Sequence, residues 1–199
     1  MASNSLQNMG NVMPRLHFIL LVLLLLVSNK AEAEVYSDPL GLYSTVWGQI
    51  SAPKDICPYL TYSVALIEAR RIWKDGMVRP WPWAITRNDG PKIKSHFPKT
   101  RMEAETILRQ ILKETKNVDV GIMQINLHHH GHRVKDPIAL LDLEENIKVG
   151  VDILSEAIKS SPGDLERGVG RYHSWRSERG RIYGRKVLAL RDIIAKGGY

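Results

Sequence analysis

Apolar residues recur at helical intervals from Cys57 to Trp73, with Leu60, Val64, Ile67 and Arg71 at spacings of four, three and four. Proline is tolerated in a first helical turn, so Pro58 does not oppose a helix here, and Ala65, Leu66 and Ile72 widen its apolar face. Asp75-Gly76 ends that pattern. The next run, Arg79-Pro80-Trp81-Pro82-Trp83, excludes a helix interior because each proline lacks an amide donor and crowds the preceding turn. Trp83, Ile85 and Arg87 then alternate as in a short strand, Asn88-Asp89-Gly90 reads as a turn, and Ile93 to Phe97 is the expected return strand. Thr100-Arg-Met-Glu103 is a capping box, which predicts a helix from Arg101 to about Glu114 with Ala104, Ile107, Leu108 and Ile111 inward. Further helices are expected over Leu143–Ile158, with Ile147, Val151, Leu154 and Ile158 on one face, and over Leu165–Arg171. The last, Arg176–Ala195, carries Ile182, Val187, Leu190, Ile193 and Ile194. The pattern predicts an α+β fold that is predominantly α-helical, with one small β element after the first helix.

The N-terminus reads as an address. Arg15 precedes an apolar run, His17–Val27, too short for the roughly 20 residues that span a bilayer, and Ala31-Glu32-Ala33 supplies a small-x-small site. A secretory signal peptide over residues 1–33, cleaved before Glu34, is therefore expected, with an uncleaved inner-membrane anchor as the alternative and the periplasm as the destination. Residues 34–54 hold Pro39, Gly41, Gly48 and Pro53 with little period. They read as an irregular arm whose Tyr36, Tyr43 and Trp47 pack on the domain formed by 55–199.

The chain has a formal net charge of +7, and removing Arg15, Lys30 and Glu32 with the signal leaves +6. An exported basic protein favours an anionic polymer. Nucleic acid is not expected, because the basic residues are scattered and the chain is exported. A single cysteine, Cys57, precludes an intrachain disulfide, so stability must come from the core.

Candidate chemistry lies at two places. Glu68 is hemmed by Val64, Ala65, Leu66, Ile67 and Ile72, where a carboxylate is either paired with Arg70 or Arg71 or desolvated with a raised pKa suited to a general acid. The stretch Asp119-Val-Gly-Ile-Met-Gln-Ile-Asn126 sets amides among apolar residues, and Gln124 there is either a core amide bonded to backbone or a cleft residue. Trp81 and Trp83, fixed by prolines, suit sugar faces and apolar core equally, with Trp81 assigned to ligand and Trp83 to core. His128-His-His130 and His132 invite a metal. Adjacent histidines cannot all face one ion and no matching Cys or carboxylate spacing accompanies them, so no metal is expected and these residues are assigned to a cleft edge or surface.

Four blocks together, Ala65-Leu66-Ile67-Glu68, Val120–Asn126, Glu145–Gly150 and Gly170-Arg171-Tyr172-His173-Ser174, resemble in order and spacing the catalytic domain of soluble lytic transglycosylases. They are most similar to the branch with a Trp-Pro-Trp insertion after the catalytic helix, found with conjugation, integrative-element and type IV pilus or secretion machinery. The resemblance implies a lysozyme-like fold, cleavage of the N-acetylmuramic acid to N-acetylglucosamine bond in peptidoglycan strands without water, and no cofactor. It makes Glu68 the single catalytic acid and base, and has Gln124, Met123 and the Gly121 backbone line the glycan cleft; Asn126, Trp81 and Trp83 are further candidates for glycan contact. It has Tyr172, beside His173, hydrogen-bond Glu68, and Asn146, which near its helix start reads either as a brace for the site or as a cap, fall on the family's Asn at the start of the following helix. Where the family commonly has Glu-Ser-Gly this chain has Glu68-Ala69-Arg70, and Tyr172-His173 replaces Tyr-Asn. A monomer is expected. The alternatives are a hydrolytic lysozyme, and a non-catalytic glycan-binding assembly component.

Overall fold

The computed structural model describes residues 38–90 and 93–198, so the expected signal peptide and its cleavage site lie outside the described residues. The segment read as an irregular arm is largely helical where it is described. A 3-10 turn (Leu42–Ser44) leads into helix α1 (Val46–Ser51), whose N-cap Thr45 accepts from the Trp47 amide, and a second 3-10 turn (Ala52–Lys54) follows. Gly41 caps the first 3-10 turn, Pro53 sits in the first turn of the second, and Gly48 lies inside α1 where a Cβ would strike the Tyr43 carbonyl; Trp47 is buried edge-on against Tyr62 at 5.2 Å.

Helix α2 (Pro58–Ala69) is buried on nearly every face, from Tyr59 through Leu66 and again at Ala69. A helix apolar all round belongs in the middle of a core, so the one-sided stripe expected from the sequence understates its position. The helix also ends four residues earlier than the pattern predicts. Arg70–Ile72 is strand β1, paired antiparallel with β2 (Val78–Pro80) as Arg70↔Pro80, Arg71↔Arg79 and Ile72↔Val78. Ile72, assigned to the apolar face, is 74% exposed on this hairpin. The hairpin closes through Asp75-Gly76, with Gly76 at φ +81°, and the Trp81 amide donates to the Ala69 carbonyl at 2.7 Å, using an acceptor the ended helix leaves free.

The second sheet has the order β4-β3-β5-β6 and is antiparallel throughout. Strands β3 (Ile85–Arg87) and β4 (Lys94–His96) form the expected hairpin, and β3 also pairs with β5 (Val118–Val120), which turns back into β6 (Ile125–Asn126). Helix α3 (Arg101–Leu112) starts at the expected N-cap: Thr100 accepts from the Glu103 amide, and the Glu103 carboxylate reaches back one residue further than a capping box requires, to the Lys99 amide at 2.8 Å. A short helix α4 (Leu127–His130) follows β6, then 3-10 turns at Gly131–Arg133 and Pro137–Leu141. The remaining helices are α5 (Leu143–Lys159), capped by Asp142, α6 (Leu165–His173), capped by Asp164, and α7 (Ser177–Ala195).

Helix α7 departs from the sequence reading in its face. Ile182 and Ile193 are 41% and 50% exposed, whereas Gly180, Tyr183, Gly184, Val187 and Ile194 are buried. Two helix backbones meet where Gly170 of α6 faces Gly180 of α7, and a Cβ at either position would strike the other helix. With no side chain between them, α6 and α7 approach closely enough for tyrosines on both to share one cluster under α2.

Candidate active site

A cleft of about 290 Å³ is lined by Glu68 from α2, Asp119, Gln124, Ile125 and Asn126 from β5–β6, His129 and His130 from α4, Ile153 from α5, and Tyr172 and His173 from α6. Each wall follows from local sequence. The last turn of α2 brings Glu68 out of the core into the cleft with its side chain 17% exposed. Its Oε1 accepts a hydrogen bond from the Tyr183 hydroxyl at 2.6 Å, and His173 Nδ1 stands 4.0 Å away. Burial pushes the Glu68 pKa up to about 7, the negative charge of Asp119 pushes it the same way, and the Tyr183 hydrogen bond opposes both. At neutral pH a substantial fraction of Glu68 therefore carries the proton a general acid must give.

On β5 the pleat turns Val118 and Val120 into the core and leaves Asp119 on the cleft side. Its Oδ1 accepts from Asn126 Nδ2 at 2.6 Å, across the β5–β6 register, and its Oδ2 accepts from Asn88 Nδ2 at 2.8 Å. Burial raises the Asp119 pKa, while these two bonds and the nearby His173 and His129 pull it back down.

The turn between β5 and β6 is tight. Gly121 has φ +81°, its amide donates to the Ala84 carbonyl at 2.7 Å, and a Cβ there would collide with Asn146 Nδ2 and reach within 2.7 Å of the Leu140 carbonyl. Gln124 takes a left-handed φ of +48°, unusual for a residue with a side chain, and its Nε2 donates to the carbonyls of Ala84 (3.0 Å) and Gly121 (2.8 Å). Both readings of Gln124 thus hold together: it lines the cleft while its amide fastens the turn to β3.

Several site residues implied by the resemblance are placed elsewhere. Asn146 is 1% exposed and does not line the cleft. Its Oδ1 accepts from the Met123 amide at 2.8 Å and its Nδ2 donates to the Val120 and Leu140 carbonyls at 2.9 and 2.8 Å, so it braces the turn from behind. The Met123 side chain is fully buried against Gly150, and Gly121 sits beneath the cleft rather than in its wall. Neither Trp81 nor Trp83 lines the cleft. Trp81 donates its indole N–H to the Pro98 carbonyl at 2.8 Å and tilts against Trp73 at 5.1 Å, so its polar edge is taken up by protein, and Trp83 packs on the core as its sequence reading had it.

Tyr172 does not bond Glu68. It donates to the Met123 carbonyl at 2.7 Å, and the Glu68 carboxyl is taken by Tyr183, one helix later. The two phenol rings stack at 6.5 Å and 19°, and the His173 ring lies parallel to Tyr183 at 4.8 Å. Tyr183 escaped the sequence reading because Ile182 beside it drew the apolar face one residue away. The spacing Gly180-x-x-Tyr183-Gly184-x-x-Val187, small residues flanking a tyrosine on one helical face, was the available signal. Of the histidines, His129 and His130 edge the cleft, whereas His128 and His132 do not line it.

The fold is of the lysozyme-like α+β type, largely helical with a small sheet, and its cleft sets a buried acidic group against a strand-turn-strand wall. Residues 92–182 match the family model for the transglycosylase SLT domain, which supports the SLT family for this chain. The matched stretch holds the β5–β6 turn, Asn146 and Tyr172, while Glu68 and Tyr183 lie outside it and are joined to it by geometry alone. No curated protein and no solved structure matches the chain.

Proposed function

We propose that this protein is a peptidoglycan lytic transglycosylase that cleaves the MurNAc–GlcNAc β-1,4 bond and leaves a 1,6-anhydro-MurNAc end, with Glu68 as acid and then base. The observation that carries the reading is the Glu68 carboxyl, buried in the cleft, hydrogen-bonded by Tyr183 and raised to about 7. The SLT-domain match supports peptidoglycan as the substrate. Protonated Glu68 gives its proton to the glycosidic oxygen, the C–O bond breaks with its electron pair staying on that oxygen, and the Glu68 carboxylate then takes the proton from the sugar's C6 hydroxyl as that oxygen closes on the anomeric carbon. Proton transfer of this kind supplies roughly 10² to 10⁴ in rate, and positioning in the cleft supplies the remainder.

The same reading places the protein in the periplasm, delivered by the signal over residues 1–33, as a monomer that opens the wall locally for a conjugation, secretion or pilus machine. The Trp-Pro-Trp run and the basic charge motivate it. A hydrolytic lysozyme is the second reading, favoured by one observation, the carboxylate of Asp119 in the cleft with Glu68. Wild type and Glu68→Gln on a peptidoglycan zymogram, followed by mass spectrometry of the digest, test both. Clearing by the wild type alone with anhydro ends supports the transglycosylase; reducing muramic acid ends would give the reaction to a hydrolase; equal clearing by both proteins would remove the enzyme reading.

A further inference from the structure

Two carboxylates reach the cleft from opposite kinds of structure, Glu68 from the end of a core helix and Asp119 from the middle of a strand. The proton-transfer scheme above uses only the first. An acidic side chain half withdrawn from water on a strand otherwise made of buried valines needs a cause, since a threonine or asparagine would pair with Asn88 and Asn126 without introducing charge.

We infer that Asp119 is a second catalytic carboxylate of this cleft, held by Asn88 and Asn126 in its ionised form to face the positive charge that develops on the sugar ring as the glycosidic bond breaks. The inference rests on the glycan-cleaving reading and adds to it a second residue with a different duty.

Donor count divides the labour between the two groups. Asp119 accepts an amide N–H at each oxygen, and an amide can stabilise a carboxylate but cannot take its proton. The groups around it are Asn88 after β3, Asn126 on β6, His129 on α4, Tyr172 and His173 on α6 and Glu68 on α2. Burial is the largest influence on Asp119 and opposes its charged form, while the two amide donors, and the histidines whenever they are protonated, favour it. Glu68 has a single phenol donor on one oxygen and is the more deeply buried, so of the pair it is Glu68 that keeps the proton. Burial raises both carboxyls, and the two amide donors on Asp119 against one phenol on Glu68 leave Glu68 as the group that keeps its proton to higher pH, so the pair supplies an acid and a fixed anion at the same pH. Asp119 forms no bond in the step. The proton leaves Glu68, the electron pair goes to the departing oxygen, and the charge left at the anomeric carbon and ring oxygen is balanced by the Asp119 carboxylate until the C6 hydroxyl closes on it.

The full chain carrying Asp119→Asn, assayed on purified peptidoglycan beside wild type and Glu68→Gln, tests this. Turnover is expected to fall about 10²-fold, with KM for the glycan and the melting temperature little changed, as for loss of one preorganised charge. The basic limb of the pH–rate profile should also move to lower pH, since the anion that helps hold the Glu68 proton is gone, a shift that a merely structural role would not produce. Turnover within about threefold of wild type with the basic limb unmoved overturns the inference. Should Asp119→Asn fail to fold, Asn88→Ala decides: removing one donor must shift the acidic limb to higher pH, and an unmoved limb overturns the inference equally. Glu68→Gln separates the two layers, because an inactive Glu68→Gln beside a fully active Asp119→Asn sinks only the second carboxylate, whereas a Glu68→Gln as active as wild type sinks the assignment of Glu68 as the acid on which both layers rest.

Discussion

Replacing Glu68 by Gln should make the protein more stable at alkaline pH while abolishing proton transfer. The carboxyl titrates at about 7 in the folded chain against an ordinary value of 4.5, because burial penalises its charged form. A raised folded value means that its contribution to stability is fully present below about pH 4.5, declines as pH rises through the window from 4.5 to 7, and is lost above it. Each pH unit between the two values is worth about 1.4 kcal/mol, so the ionised carboxylate costs the native state about 3 kcal/mol at pH 8 and nothing at pH 4. Glutamine is nearly isosteric, never ionises, and still offers an oxygen to the Tyr183 hydroxyl. Urea unfolding of both proteins at pH 4, 6 and 8 should therefore show nearly equal stability at pH 4 and a widening advantage for Glu68→Gln above it. At pH 8 that advantage corresponds to roughly 6 to 12 °C in melting temperature for a domain of this size. A pH-independent difference, or a wild type that is the more stable at pH 8, would refute the idea that the cleft holds its acid by desolvation.

Three further outcomes follow from the same contacts. Tyr183→Phe removes the donor that favours ionised Glu68, so the basic limb of the pH–rate profile should move to higher pH, whereas Tyr172→Phe should leave that limb in place and cost about 1 kcal/mol through the lost bond to the Met123 carbonyl; equal shifts in both would contradict the assignment. Asn146→Ala leaves the Met123 amide and the Val120 and Leu140 carbonyls without their partner, and should destabilise the fold by about 3 kcal/mol or more in denaturant melts while lowering turnover; a neutral result would show that the turn does not depend on this brace. Binding to isolated cell wall should weaken between low and high salt, since residues 164–186 hold seven Lys or Arg against three Asp or Glu; pelleting assays that show no salt dependence would remove charge from the account.

The elements were legible in the sequence wherever a local rule governed them. The capping box at Thr100 starts α3 because the bonds involved span four residues, and β3 pairs with β4 across a short connection for the same reason of short range. Glu68 stood out because a carboxylate inside an apolar run is costly whatever surrounds it. What failed was long range. The end of α2 at Ala69 is set by the pairing of Arg70–Ile72 with Val78–Pro80, and the apolar pattern continues past that point without showing it. The partner of Glu68 lies 115 residues away on a helix whose buried face is marked by glycines, which hydrophobic periodicity does not count. Asn146 was visible as a polar residue near a helix start, yet nothing local distinguishes a brace behind the cleft from a residue inside it. The fold class was accordingly within reach of the sequence, and the division of duties among the polar residues was not.

The bare crossing of α6 and α7 at Gly170 and Gly180 makes the acid's working pH a matter of backbone spacing. The Tyr183–Glu68 bond is already at 2.6 Å, and a displacement of α7 by about 1 Å would break it. A methyl group at Gly180 would lie 2.6 Å from the Ser174 carbonyl and press on Gly170, so the helix would have to move by a comparable amount. Alanine at either glycine would thus act as a wedge that retunes the titration of a carboxyl it never touches. A helix crossing with no chemistry of its own thereby sets the protonation of a carboxyl on another helix.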